Sequence, residues 1–237
     1  MKFLHASDGL GLYENNLNGK IPSSIGNLAN LYVCYLDDNA LTGTIPSEIG
    51  NLSNLSDFRL RKNKLAGSIP QEIGGMTGLE LLYLDDNALT GSIPSTIGTA
   101  TKLKQLHMYK NSLSGPITDS LRLLEDLELL YLDNNELSGP LPNTLGALTR
   151  LESMYLFNNQ LTGGLPASLG NLASLTNMRL NNNQFIGPIP PELGNLTKLQ
   201  LLFIDTNDLT GIVPTDLGRL KRLGKFSKHR RGRKVSC

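Results

Sequence analysis

One asparagine recurs every 24 residues along the chain: Asn15, Asn39, Asn63, Asn87, Asn111, Asn135, Asn159, Asn183 and Asn207. Nine occurrences in register make the chain an array of one repeated unit. Such a unit cannot bury its apolar face alone, so its copies stack into a solenoid with one continuous core. An array of this kind serves more often as a binding surface than as an active site.

Residues 28–51, LANLYVCYLDDNALTGTIPSEIGN, are one complete unit. Brief alternation around Cys34 and Leu36 marks a short strand with one buried face. Leu31, Cys34, Leu36, Leu41, Ile45, Ile49 and Leu52 are expected to point inward. Asn39 follows the strand where the chain turns inside. Its amide both donates and accepts, so it can serve backbone groups that the strand ladder leaves unpaired. Repeated nine times, this makes an asparagine ladder. Gly43 permits a backbone conformation that other residues avoid, and Pro46 fixes an extended or turn path after it. SEIGNLSNL supplies a short helical turn rather than a full helix.

The unit LxxLxLxxNxLxGxIPxxIGNLxxL resembles the plant-specific subclass of leucine-rich repeats. That subclass is found in receptor-like kinase ectodomains and in polygalacturonase-inhibiting proteins. The resemblance covers residues 4–220. It implies a leucine-rich repeat solenoid, an α/β horseshoe wound as a right-handed superhelix. Short parallel strands would line the concave side, a second short sheet would come from the Gly-x-Ile-Pro segment, and short helical or 3-10 segments would lie outside. The domain reading is an array over 1–220 with a truncated first unit, then a basic, disordered tail over 221–237. Met1 falls at the phase of Ile25, so the array starts in mid-unit, as expected of a piece of a longer protein or of an incomplete gene model. Repeat five departs from the pattern: Thr118 stands for Pro and Arg122 for Gly. A longer outer helix capped by Thr118 or Asp119 is one reading; drift on the outer face is the favoured one.

The strand phase sets two outward columns. The central one reads Gly11, Tyr35, Arg59, Tyr83, His107, Tyr131, Tyr155, Arg179, Phe203. The next reads Tyr13, Asp37, Arg61, Asp85, Tyr109, Asp133, Phe157, Asn181, Asp205. All seven tyrosines are expected on these strands, none at an inward position. The expected ligand-binding set is Tyr83, His107, Tyr109, Tyr131, Tyr155, Phe157, Arg179 and Phe203. Tyr and Arg dominate binding interfaces, and Arg over a ring adds cation–π attraction. The competing reading is that aromatic neighbours stabilise the sheet with no ligand. A 48-residue superperiod sets Asp37 and Asp38, Arg61 and Lys62, Asp85 and Asp86, Lys110 and Asp133 on successive strands. Cross-strand neutralisation is the favoured account of it.

Other features bound the function. No apolar run reaches the ~18 residues of a membrane helix, and the start lacks the apolar stretch of a signal peptide. Cys34 reads as a buried thiol, and Cys237 does not fit a prenylation box. Residues 221–237 hold eight Lys/Arg and no acid; the rest holds 14 Lys/Arg against 21 Asp/Glu, a net of −7. The tail reads as a solvated terminus, or as a nuclear-localisation or anionic-surface segment. Sequons at Asn51, Asn54 and Asn195 fall on the outer side. His5, His107 and His229 share no neighbourhood with a Ser/Asp pair, so catalysis is not expected. Neither is a metal, a cofactor or specific nucleic-acid binding. The expectation is a non-catalytic recognition module for a protein or peptide ligand, receptor-ectodomain-like, a monomer or one half of a transient hetero-complex. The alternatives are an intracellular scaffold with a localisation tail and an inhibitor of a secreted polysaccharide hydrolase. The compartment stays open: the resemblance implies the cell surface or exterior, and a cytoplasmic or nuclear place competes.

Overall fold

The computed structural model describes residues 9–227. Strands of three residues recur at the repeat spacing, from Gly9–Gly11, Val33–Tyr35 and Asp57–Arg59 to Leu201–Phe203 and Lys225–Ser227. They form one parallel ten-stranded sheet in sequence order. Its register joins residues 24 apart, as in Tyr131 opposite Tyr155. The position before each ladder asparagine takes a left-handed turn, with φ 53° at Asp38 and 50° at Lys62.

The asparagine then bridges turns. Asn135 Nδ2 donates to the carbonyls of Met108, Leu132 and Asp133, and its Oδ1 accepts from Leu113 N at 3.0 Å. Two of these contacts reach the preceding repeat, so each asparagine ties its own unit to the one before. The pattern recurs at Asn39, Asn63, Asn87, Asn111, Asn159, Asn183 and Asn207, where each Nδ2 serves a carbonyl of the preceding unit. Among the described residues the Asn15 side chain bonds within its own turn, to the Leu12 and Tyr13 carbonyls.

After the asparagine a second parallel sheet runs from Asn18–Lys20 to Gln160–Thr162, with a separate pair Ile186–Pro188 and Asp208–Thr210. It starts earlier than the Gly-x-Ile-Pro segment named by the resemblance. Most of its strands end at or near the glycine: Gly43 has φ 78°, which turns the chain out of the strand, and Pro46 beyond has no N–H for a ladder. This sheet pairs residues 22 apart, as in Thr42 with Lys64, against 24 in the inner sheet. Each repeat closes with a five-residue 3-10 turn such as Ser47–Asn51.

The predicted inward set is the core: Leu31, Cys34, Leu36, Leu41, Ile45, Ile49 and Leu52 are all buried, within one cluster running to Leu220. Burial pushes the Cys34 thiol up to about 12, so it stays an inert hydrophobe.

Repeat five follows the favoured reading of drift on the outer face: Asp119–Leu123 is the same five-residue turn, with no longer helix, capped by Thr118, whose Oγ1 accepts from Ser120 N. Leu121, Leu124 and Leu127 are buried, as Leu145, Leu148 and Leu151 are in the next repeat. One expectation is corrected: the array passes residue 220, since Lys225–Ser227 pairs with Leu201–Phe203. The rest of the basic tail, 228–237, lies outside the described residues, as do His5, His229 and Cys237.

Repeat five differs in another way. Glycine stands at this outer-turn position in its neighbours because the next turn is too near for a side chain. A Cβ on Gly98 would sit 2.6 Å from Ser120 O, and one on Gly146 2.4 Å from Ser168 O. Arg122 has that Cβ, and its turn packs more loosely on the next one than other outer turns do. Thr144 Oγ1 donates to Asp119 Oδ1 at 2.8 Å across this junction.

Candidate functional site

The central column of the concave sheet is one continuous pile of side chains over eight strands. Tyr131 stacks on Tyr155 at 4.5 Å with planes 12° apart, and His107 stacks on Tyr131 at 4.5 Å and 28°. Tyr83 meets His107 edge-on, 4.5 Å between centroids. Each end of this aromatic run is closed by a guanidinium. Arg59 lies between Tyr35 and Tyr83, at 4.4 and 5.2 Å, and Arg179 between Tyr155 and Phe203, at 4.9 and 5.5 Å. Six of the expected binding residues, Tyr83, His107, Tyr131, Tyr155, Arg179 and Phe203, thus share one pile. The pile also takes in Tyr35 and Arg59, which the expected set omits.

Tyr109 and Phe157 stand apart in the second column, two residues past the strand, at 6.3 Å from His107 and 6.4 Å from Tyr155 with tilted planes. The tyrosines do not all lie on strands. Tyr32 precedes Val33–Tyr35 and is exposed, outside both columns, and Tyr13 also falls beyond its strand.

Stacking has a consequence for recognition. Rings packed face to face spend their faces on one another, so their edges and hydroxyls remain for a ligand. Some hydroxyls are engaged: Tyr35 donates to Asp57 at 2.9 Å and Tyr83 to Gln105 at 2.6 Å.

The second column and the left-handed turn position beside it alternate in charge over repeats two to five, and their pairs close. Arg61 reaches Asp37 at 3.5 Å and Asp38 at 3.7 Å, Lys62 reaches Asp38 at 3.0 Å, and Lys110 reaches Asp86 at 3.6 Å. These pairs are partly exposed, and each contributes at most ~1 kcal/mol. Their main effect is to leave this half of the face without a field of one sign.

Asp85 and Asp133 are buried on either side of Tyr109. Burial raises both carboxyls, Asp133 to about 6 against an opposing hydrogen bond from Asn134. Tyr109 is pushed above the usual phenol range by burial first and by Asp85 second. Burial, then the charge of Arg61, pushes His107 down to about 4, and its enclosed Nε2 has no hydrogen-bond partner. A neutral ring between Tyr83 and Tyr131 is a stacking member rather than a proton carrier.

One array was not foreseen. The residues in the left-handed turn form an amide chain: Asn182 Nδ2 donates to Asn158 Oδ1, Asn158 to Asn134 Oδ1, and Asn134 to Asp133 Oδ2, each at 2.7 Å. The paired asparagines at 134–135, 158–159 and 182–183 are its sequence signal. The outer sequon residues Asn51 and Asn195 are exposed, and Asn54 donates its amide to Ala29 O at 3.0 Å.

A profile described as Leucine Rich Repeat matches residues 30–52, 78–100, 126–148, 150–172 and 174–196. The plant peptide hormone receptor RGFR1, solved with RGF2, is 36% identical with a TM-score of 0.88 over 89% of this chain and 34% of its own. The chain belongs to the plant leucine-rich repeat family. Within that family the Arabidopsis receptor kinase HAESA, solved with the peptide hormone IDA and the co-receptor SERK1, is 35% identical. Its TM-score is 0.90, over 94% of this chain and 38% of that one. A plant ice-binding protein is 30% identical with a TM-score of 0.69, over 93% of this chain and 79% of that one. The leucine-rich repeat array described here therefore spans about a third of the length of the receptor chains it matches. No curated protein sequence matches it.

Proposed function

We propose that this array is a non-catalytic recognition module, receptor-ectodomain-like, that holds an extended peptide or a peptide segment of a protein across its concave face. The observation that carries this is the unbroken pile from Tyr35 to Phe203. Eight strands at ~4.8 Å spacing give a strip of about 34 Å. That length suits about ten residues of extended chain. The strip is already ordered by its own stacking, so little side-chain freedom is lost on binding. Its exposed edges and hydroxyls suit a ligand read by hydrogen bonds and by apolar contact at ring rims.

One observation favours binding without turnover: His107 is neutral and enclosed. The hormone receptors among the relatives were solved with peptides bound, which favours the same class of ligand here.

The test is an array of random extended peptides probed with the full chain and with Tyr131→Ala/Tyr155→Ala/Phe203→Ala. The wild type is expected to retain a distinct subset and the triple variant to lose it while circular dichroism stays repeat-like. A blank array, or a triple variant that keeps the subset, removes the concave strip as the site.

A further inference from the structure

Arg59 and Arg179 occupy the same place in repeats three and eight and have the same aromatic sandwich, yet their charges are handled in opposite ways. Arg59 is neutralised within its own strand. Its Nε bonds Asp57 Oδ1 at 2.9 Å and its Nη2 bonds Oδ2 at 2.6 Å, a bidentate pair with a carboxylate 6% exposed. The residue at the Asp57 position in repeat eight is Asn177, which is uncharged and gives its amide to the Ser153 and Thr176 hydroxyls, at 3.2 and 3.1 Å. Arg179 has no ion-pair partner among the described residues. Asp205, in the next column on the following strand, stands beyond pairing distance, and residues 228–237 hold no Asp or Glu. Arg179 Nε is enclosed without any hydrogen-bond partner.

A guanidinium held between two rings has lost most of its freedom before any ligand arrives. Its planar fork matches a carboxylate bidentately, and desolvation by the rings strengthens that contact. We infer that Arg179 is an anion-binding position on the concave face that receives a carboxylate of an acidic peptide, the group that Asp57 supplies internally to Arg59. This rests on the concave-face reading above. Tyr155 and Phe203 are positioning residues for the guanidinium, and the absence of a carboxylate at Asn177 is what leaves the site open. The alternating pairs of repeats two to five carry no such vacancy, so an acidic ligand is drawn to the C-terminal third of the face.

The two positions can be interchanged by isosteric substitutions. Asn177→Asp is expected to install the internal pair and close the site; Asp57→Asn is expected to release Arg59 and open a second one. The probes are an N-acetylated, C-amidated hexapeptide of alternating Glu and Gly, and its Gln–Gly counterpart. Each is titrated into the full chain and followed by NMR of the arginine side-chain N–H signals. The wild type should bind the Glu peptide saturably at one site, with the Gln peptide weaker by about tenfold. Arg179→Gln and Asn177→Asp should abolish that binding, and Asp57→Asn should raise the stoichiometry from one to two. No saturable binding, equal binding of both peptides, or an unaffected Asn177→Asp overturns the inference. The random-peptide array separates this failure from failure of the parent reading. A subset lost by the aromatic triple variant but retained by Arg179→Gln, with no enrichment in acids, sinks only the Arg179 site. A blank array sinks both.

Discussion

Tyr131 and Tyr155 lie face to face, 4.5 Å apart and 12° from parallel, on strands whose Cα register sets them directly opposite. Their contact needs no ligand. Stacked pairs contribute ~0.5–1.5 kcal/mol beyond the area they bury. A double-mutant cycle of Tyr131→Ala and Tyr155→Ala in urea is expected to return a coupling of that size. Additive effects would mean that the rings are not in contact in solution.

The ladder asparagines should differ in weight along the array. Asn135→Ala leaves the Leu113 N–H and the Met108 and Leu132 carbonyls without that partner in a buried place, while the Asp133 carbonyl keeps the Lys110 N–H; the loss costs ~1–3 kcal/mol. Asn15 is exposed and, among the described residues, its side chain bonds within its own turn. Asn15→Ala should therefore stay within ~0.5 kcal/mol of wild type. Denaturant midpoints of the two variants check the contrast, and equal losses would contradict the bridging role.

The outer turns make a steric prediction. Gly146→Ala drives a Cβ against Ser168 O and should cost ~1–3 kcal/mol as an overpacking change. Arg122→Gly removes a side chain from the one loosely packed junction, and its thermal midpoint should match or exceed that of the wild type. A large loss in Arg122→Gly would show that the arginine holds the junction together.

Acid stability sets two shifted groups against each other. Asp133 rises from 3.8 to about 6, so the folded state binds more protons than the unfolded one in that window. Its contribution is present below pH 4 and is lost as pH rises through about 6. His107 falls from 6.5 to about 4, so its contribution has the opposite sign and grows as pH rises from about 4 to 6.5. Groups facing Asp133 include Asn134, Arg179, Lys110 and Tyr109; those facing His107 include Tyr83, Tyr131 and Arg61. Burial raises the Asp85 carboxyl as well, and its contribution has the sign of Asp133. Relative to wild type, Asp133→Asn should have a midpoint that rises more, or falls less, from pH 4 to 7, and His107→Gln one that falls more. Thermal scans across pH decide it: parallel profiles for the three proteins would mean that neither group titrates as described.

The 24-residue period made the backbone phase legible, and with it the core, the asparagine positions and the two outward columns. Phase does not choose rotamers. The i, i+2 spacing puts Asp57 and Arg59 on one face of their strand, but it does not say whether the guanidinium pairs within the strand or reaches across to a neighbour. The amide chain through Asn134, Asn158 and Asn182 was hidden for a similar reason, since each side chain leaves a left-handed turn whose geometry the alternation rule does not reach. In repeat five the open run without Pro or Gly leaves both a longer helix and outer-face drift legible, and the favoured drift is what stands, since Asp119–Leu123 keeps the common five-residue turn.

The alternating ion pairs of repeats two to five also constrain how such an array can change length. Excising repeat three alone would bring Asp37 and Asp38 beside Asp85 and Asp86, four carboxylates on adjoining strands. Excising repeats three and four together would instead leave Asp38 facing Lys110, and the sheet surface would remain balanced. Growth or shrinkage of this region in steps of two units would therefore keep its charge pairing, whereas a step of one unit would not.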